Sequence, residues 1–258
     1  MDTSASTSWK ETDAGDAIAV EPEQVVQLLS QGRVELVGQV LASSNIIFLA
    51  SVAGQGLQTL AIYKPYQGER PLWDFPPGTL CLREVAAYVV SQALGWPLIP
   101  PTVLRDGPHG AGALQLFIDA DPDATYFSLC EEERLPDLLP IALFDLLANN
   151  ADRKGGHLLL DRWDRIWAID NALTFHAEPK LRTVIWDFAG EPISEAYQAD
   201  LHELQERLGD EGPLREMLSK LLAEEEIAAL GARLSALLEN PVFPYLDPDR
   251  RQVPWPLV

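Results

Sequence analysis

Cysteine is scarce in this chain. Cys81 and Cys130 are the only two in 258 residues, and both lie beside apolar neighbours. Two are too few for a disulfide framework or a cysteine-based zinc site, so both are expected to be reduced and structural. No run approaches the roughly 18 consecutive apolar residues that a membrane span needs. The first residues also lack the basic-then-apolar order of a secretory signal. A cytoplasmic protein with no integral membrane association is therefore expected. Positive charge is short as well: 19 Lys and Arg against 39 Asp and Glu leave a formal charge of −20. Nucleic acid and anionic lipid surfaces are captured by basic patches, which makes neither the expected partner. Internal repeats and low-complexity tracts are also missing.

What is present is enough apolar material, 47% of the residues, to bury a substantial core in one large domain or two lobes. The opening "MDTSASTSWKETDAGD" is polar and expected to be disordered, with residues 1–22 forming a tail. "EPEQVVQLLSQG" reads as a short capped helix. The period then changes to that of strands in "RVELVGQVL", "NIIFLASVA" and "LQTLAIYKP", an antiparallel meander. Residues 79–94 carry apolar side chains at helical spacing and stop at Gly95 before Pro97. "TVLRD" and "GALQLFID" complete a small sheet. "LPDLLPIALFDLLAN" is apolar nearly all round, the mark of a buried helix. "HLLLD" and "RIWAID" read as a short hairpin through "RWD", and residues 194–240 as amphipathic helices whose acidic runs form solvated faces. The expected boundaries are a β-rich lobe over 23–119 and a mainly helical lobe with a Pro-rich tail over 120–258.

Behind the buried helix stands "NNADRKGGH", residues 149–157. Alone it reads as a turn, because Gly155-Gly156 permits positive φ and Asp-Arg pairs locally. Lys64 after a strand, Glu84 in a helix and Asp170 before Asn171 each have a similarly bland reading. Their joint order decides otherwise. A lysine ends the third strand, a glutamate lies on the next helix, and an aspartate in a loop is followed by another at the end of a hairpin. That order is the plan of a two-lobed, α+β protein kinase-like fold, in which a lysine holds ATP phosphates, a helix glutamate holds the lysine, and two aspartates serve the acceptor hydroxyl and the metal. A metal-only site from Asp152, His157, Asp170 and His176 is the competing reading, though its spacing matches no zinc motif.

"IYKP", "LREVAA", "NNADRKGGHLLL" and "AIDNALTF" resemble the PI3/PI4-kinase-like superfamily, in particular a bacterial branch related to type II phosphatidylinositol 4-kinases and, more distantly, to HipA-type kinases. The resemblance covers roughly Gly38 to Phe175. It implies an ATP-dependent kinase using Mg2+ or Mn2+, with Lys64 on the ATP phosphates, Glu84 orienting Lys64, Asp152 as the catalytic aspartate and Asp170 as a metal ligand. "ASSNIIF" resembles the phosphate-covering turn, which implies Ser43, Ser44 and Asn45 as nucleotide contacts, with Leu116 and Phe117 at the end of the last strand beside them. At His157 the superfamily pattern has an asparagine. An imidazole is a softer ligand than magnesium prefers, which leaves three roles: binding manganese, donating a hydrogen bond to the γ-phosphate, or marking a pseudokinase that binds nucleotide without turnover. Asn149 and Asn150 are nearby amides able to share the task. Lys180 and Arg182, the only lysine and arginine of "HAEPKLRTVIWDF" after Asp170, are expected to contact the acceptor. The acidity favours a protein or small-molecule acceptor over a phosphoinositide. The aromatic, charged "GERPLWDFP" is expected as a lid, an acceptor platform or a cover over the sheet.

Overall fold

The computed structural model describes residues 21–41, 44–209 and 212–258. The expected disorder of the opening segment falls almost wholly outside them, as does Ser43. Helix α1 (Pro22–Gln31) starts on a proline, whose fixed φ suits a first helical turn, and leads into a meander of β1 (Arg33–Val40), β2 (Ile47–Gly54) and β3 (Leu57–Pro65). Helix α2 (Leu80–Ala93) follows, then the hairpin β4 (Thr102–Gly107) and β5 (Gly110–Leu116). The five strands are antiparallel in the order β1-β2-β3-β5-β4, so β3 and β5 are neighbours although α2 lies between them in sequence.

Strand alternation separates the two faces of this sheet. On β3, Ala61 and Tyr63 are buried and pack with Ala50, Val52, Leu114 and the α1 residues Leu28 and Leu29. Ile62 and Lys64, one residue out of step, line a cleft on the other face. Helix α2 covers part of that other face through Cys81 and Val85, which pack on Ala113, the register partner of Lys64. Burial pushes the Cys81 thiol up to about 12, so it is inert as the composition led one to expect.

Beyond β5 the chain turns irregular over residues 117–119, where the sequence pattern alone had continued the strand, and enters a helical lobe. A short helix absent from the sequence-based expectation, α3 (Tyr126–Glu131), is capped by Thr125. The run beginning at Leu135 is a 3-10 turn followed by α4 (Leu139–Ala148), whose Ile141, Leu143, Phe144 and Leu147 are withdrawn from solvent. Around α4 pack the hairpin β6 (Leu158–Leu160) and β7 (Ile166–Ala168) and the helices α5 (Glu195–Arg207), α6 (Pro213–Leu218) and α7 (Glu224–Glu239). Arg83 of α2 links the lobes: its fully buried guanidinium donates to the Thr174 carbonyl at 2.5 Å and pairs with Glu226 of α7. This is the expected two-lobed, α+β protein kinase-like architecture. Among the described residues no helix is long and apolar enough to cross a membrane.

Candidate active site

A cleft of about 680 Å³ opens between the lobes. Its upper wall is the Ile62 and Lys64 face of β3 together with Leu116 and Phe117, and its floor holds Asp152, His157 and Asp170. Lys64 and Glu84, 20 residues apart, form an ion pair at the back. Glu84 is 1% exposed, and its second oxygen accepts the Asn171 backbone N–H at 3.2 Å, so a carboxylate of the upper lobe is also held by the lower one. Burial works against the charge on Lys64, but the carboxylates of Glu84 and Asp170 outweigh it and hold the ammonium above its ordinary range. Burial raises the Glu84 carboxyl.

Asp170 lies 3.9 Å from Lys64 Nζ and 3.4 Å from His157 Nε2. It was expected to end the hairpin strand. Pairing in fact stops at Ala168, and Asp170 stands at φ 57, a left-handed backbone that cannot continue a ladder and that turns the side chain into the cleft. Partial burial opposes its charge, yet Lys64 and the neighbouring cations hold its carboxyl below the ordinary value. It is an ionised, half-exposed carboxylate. His157 is pushed down to about 4, chiefly by burial, and is neutral at physiological pH. Its Nδ1 accepts the Lys154 backbone N–H at 3.4 Å. In a neutral imidazole the proton then lies on Nε2, the nitrogen that faces Asp170. That arrangement suits a hydrogen-bond donor better than a metal ligand.

Asp152 follows a left-handed helix cap at Asn149, φ 53. Its carboxyl is raised by burial, against the Lys154 ammonium 3.3 Å away and the charge of Arg182. The neighbouring asparagines are occupied elsewhere, which corrects their expected share in metal binding. Asn149 donates to the carbonyls of His176 and Glu178 at 2.9 and 2.7 Å and accepts the Lys180 N–H at 2.8 Å. Asn150 donates to Asp145 and accepts the Asp152 N–H, both at 3.0 Å. Beneath them Arg153 forks onto Asp145 and donates to the Ile169 carbonyl at 2.7 Å and to Asn171 Oδ1 at 2.6 Å. One guanidinium thus fixes the segments carrying Asp152 and Asp170. The two glycines do not use positive φ; they form a 3-10 turn with His157, and a Cβ on Gly155 would meet the Phe127 ring at 3.0 Å.

The metal-only reading fails. No group of three or more His, Cys, Asp or Glu is close enough to hold an ion among the described residues, and His176 is turned away, its Nδ1 accepting the Glu178 N–H at 3.0 Å. A divalent ion bound together with an anionic ligand fits the cleft better. Asp170 is one hard oxygen donor. Glu69, which sequence reasoning missed, lines the same cleft; its Oε1 accepts the Cys81 N–H at 2.8 Å and its buried Oε2 has no hydrogen-bond partner among the described residues.

The turn expected to cover phosphates is joined to the loop before α2: Asn45 Oδ1 accepts the Arg70 N–H at 2.8 Å and Ile46 N–H donates to the Gly68 carbonyl at 2.9 Å. Gly68 is required there, since a Cβ would lie 2.3 Å from the Ile46 oxygen. Ser44 and Asn45 line the cleft. A second hollow of about 570 Å³ extends from Asp152 and Asp170 toward Arg70, Leu72 and Trp73. "GERPLWDFP" therefore borders the site, with Trp73 92% exposed. The two expected acceptor bases both line a separate hollow but differ in pairing: Lys180 pairs with Asp74 at 3.1 Å, its ammonium 5.3 Å from the centre of the Trp73 ring, whereas Arg182 makes no ion pair among the described residues.

No protein-family model matches the chain. It is 39% identical over 264 residues to Protein Rv2133c of Mycobacterium tuberculosis (strain ATCC 25618 / H37Rv), an alignment covering 89% of this chain and 94% of that protein. Among solved structures it is similar to the Golgi casein kinase, with a TM-score of 0.58 at 16% identity over 88% of this chain and 80% of that one. The Mn/ADP-bound form of that kinase gives 0.55 at 15% identity over 89% and 80%. The Helicobacter pylori proinflammatory kinase CtkA gives 0.50 at 11% identity over 83% and 94%. At such identities the likeness is one of fold, that of atypical kinases, and does not single out the PI3/PI4 kind.

Proposed function

We propose that this chain, which belongs to the family of Protein Rv2133c, is an ATP-dependent phosphotransferase of the PI3/PI4-kinase-like kind that moves the γ-phosphate of ATP to a hydroxyl of a protein or small molecule. The observation that carries the reading is the pair of Lys64 with the buried Glu84, meeting Asp170 on one side of the cleft while Asp152 lines the same space. Ser44, Asn45, Leu116 and Phe117 border the nucleotide, Lys64 neutralises its phosphate charge, and Glu84 fixes Lys64. Asp170, with Glu69 lining the same cleft, would hold a divalent ion, which would offset charge on the transferred group. The Mn/ADP carried by the Golgi casein kinase supports manganese as well as magnesium in this role. His157 Nε2–H serves as a donor toward Asp170 or a phosphate oxygen.

In the transfer itself the acceptor oxygen attacks the γ-phosphorus, and the bond from that phosphorus to the bridging oxygen of ADP breaks. The proton of the hydroxyl passes to Asp152, and ADP departs. Asp152 borders both hollows, which suits a group that meets nucleotide and acceptor at once. The lobe boundaries near 119 and a cytoplasmic site of action belong to the same reading.

The test is phosphate transfer from radiolabelled ATP to candidate acceptors, alongside the rise in melting temperature that ATP and a divalent ion produce. Asp152→Asn is expected to lower turnover by about 10² to 10⁴ and to leave the ATP-dependent shift in place. Transfer at full rate in that variant would refute the role of Asp152. ATP binding with no transfer under any ion would make the protein a pseudokinase, and the neutral, internally bonded His157 is the feature that favours this second reading.

A further inference from the structure

A hollow of about 480 Å³ lies between the loop at residues 178–182 and the chain near its end at residues 250–252, and Arg182, Arg250 and Arg251 line it. Three guanidiniums in one concavity are out of keeping with a chain of net charge −20, in which an arginine has many acids to pair with. Arg182 makes no ion pair within 4 Å among the described residues, and Arg251 donates only to the Val253 carbonyl at 3.4 Å. Arg250 has a loose partner in Asp247, at 3.5 Å. Glu178 is the one acid among the described residues that line the hollow; Lys180 lines it too but pairs with Asp74, which leaves the three arginines facing one carboxylate.

The hollow is built, not incidental. The Gln252 carbonyl accepts the Thr183 N–H and Trp186 Nε1–H, both at 3.1 Å, which binds the two walls together. The Arg182 N–H in turn donates to the Asn150 carbonyl at 2.7 Å, two residues from Asp152, and the Arg182 charge is felt at the Asp152 carboxyl. Arg182 thus joins the hollow to the segment that carries the candidate catalytic aspartate.

We infer that this arginine-lined hollow binds a phosphate monoester carried by the acceptor, so that the protein phosphorylates a hydroxyl on a molecule that already bears a phosphate. The inference rests on the phosphotransferase reading and names its acceptor class. A dianionic monoester suits a hollow in which arginines outnumber the one carboxylate, and planar guanidiniums take its oxygens two at a time. Lys180 is held by Asp74 and Trp73 and adds no charge to the grip.

The experiment uses the full chain and measures binding of phenyl phosphate at fixed ionic strength. Parallel arms use phenol and vesicles of phosphatidylcholine with and without phosphatidic acid, whose headgroup is the same monoester on a lipid. Phenyl phosphate is expected to bind and phenol not. Arg250→Gln together with Arg251→Gln is expected to weaken phenyl phosphate about tenfold or more, with the ATP-dependent melting shift unchanged. Lys64→Ala is expected to abolish the ATP shift and leave phenyl phosphate binding intact, which separates this hollow from the nucleotide phosphates. Loss of binding in the paired arginine variant with vesicles alone assigns the monoester to a lipid, and with phenyl phosphate alone to a soluble acceptor; either supports the inference. Phenyl phosphate and phosphatidic acid that both fail to bind, or that bind equally well to the paired variant, would overturn it. A failed ATP shift beside intact arginine-dependent binding would count against the kinase reading alone.

Discussion

Arg153 and Asp145 meet edge to edge behind the cleft, with Nε 3.0 Å from Oδ2 and Nη2 3.0 Å from Oδ1, and neither side chain is exposed. Thr183 Oγ1 and Asn150 Nδ2 supply the remaining donors to Asp145. Taking one member away strands a buried charge, at a cost of about 3–5 kcal/mol. Arg153→Met and Asp145→Leu are each expected to lower unfolding free energy in urea by that amount. The double variant should lose less than the sum. Additive losses would mean that the two groups act on the fold separately.

Lys64→Met leaves Glu84 in the interior with one backbone donor, that of Asn171. Burial already raises the Glu84 carboxyl above 4.5, and losing Lys64 raises it further. A carboxyl raised in the folded state contributes stability that is full below its unfolded value and is lost as pH rises through its folded value. The deficit of the variant relative to the wild type is therefore expected to be small near pH 4.5 and to widen toward pH 7. Melting temperatures across that range provide the check, and a deficit that narrows with rising pH would rule the account out.

His157 should give the wild type a pH dependence of its own. Because the folded protein holds the imidazole near 4 while the unfolded chain protonates it near 6.5, the unfolded state gains protons first as the solution is acidified. Stability is complete above pH 6.5 and falls by up to about 3 kcal/mol as pH drops toward 4. His157→Gln should flatten that part of the curve. An unaltered slope in this variant would place the titration on another group.

Lys154 lies 3.3 Å from Asp152 and lowers its carboxyl, opposing the effect of burial. If Asp152 takes the acceptor proton it must be ionised, so transfer fails as pH falls through its pKa. Lys154→Met removes the opposing charge and is expected to move the acidic limb of the pH–rate profile upward. Arg182 lowers the same carboxyl to a smaller extent, so Arg182→Gln should move it less. A limb that stays in place in both variants would argue against Asp152 as the base.

The upper lobe was legible because its strands alternate cleanly and its one inserted helix ends on a glycine. β1, β2 and β3, the stop at Gly95 and the hairpin after Pro101 fall within a few residues of where the pattern puts them. Chain order also brought Lys64, Glu84, Asp152, His157 and Asp170 to one cleft. What could not be read was decided by contacts distant in sequence. Asn149 and Asn150 look like ligands in a string of letters, but their amides are spent on carbonyls and carboxylates brought in from residues 145–180. Arg153 looks like a local partner of Asp152 and instead turns inward to Asp145, a residue hidden in an apolar helix. Glu69 gave no signal at all, since an acid in a Pro-rich loop carries none until the fold sets it over the start of α2. The arginines of the last hollow lie some 70 residues apart in sequence, and only the closure of the chain end against the loop at 178–182 unites them.

The left-handed backbone of Asp170 has a meaning for selection. Glycine takes φ 57 without the penalty, on the order of 1 kcal/mol, that a side chain meets there. A library of this protein screened for heat resistance alone should therefore drift toward glycine at position 170. A library screened for whatever the cleft accomplishes should keep aspartate. The divergence of the two populations at that single codon would measure, without any assay of substrate, how much stability the chain forgoes to keep a carboxylate in the cleft.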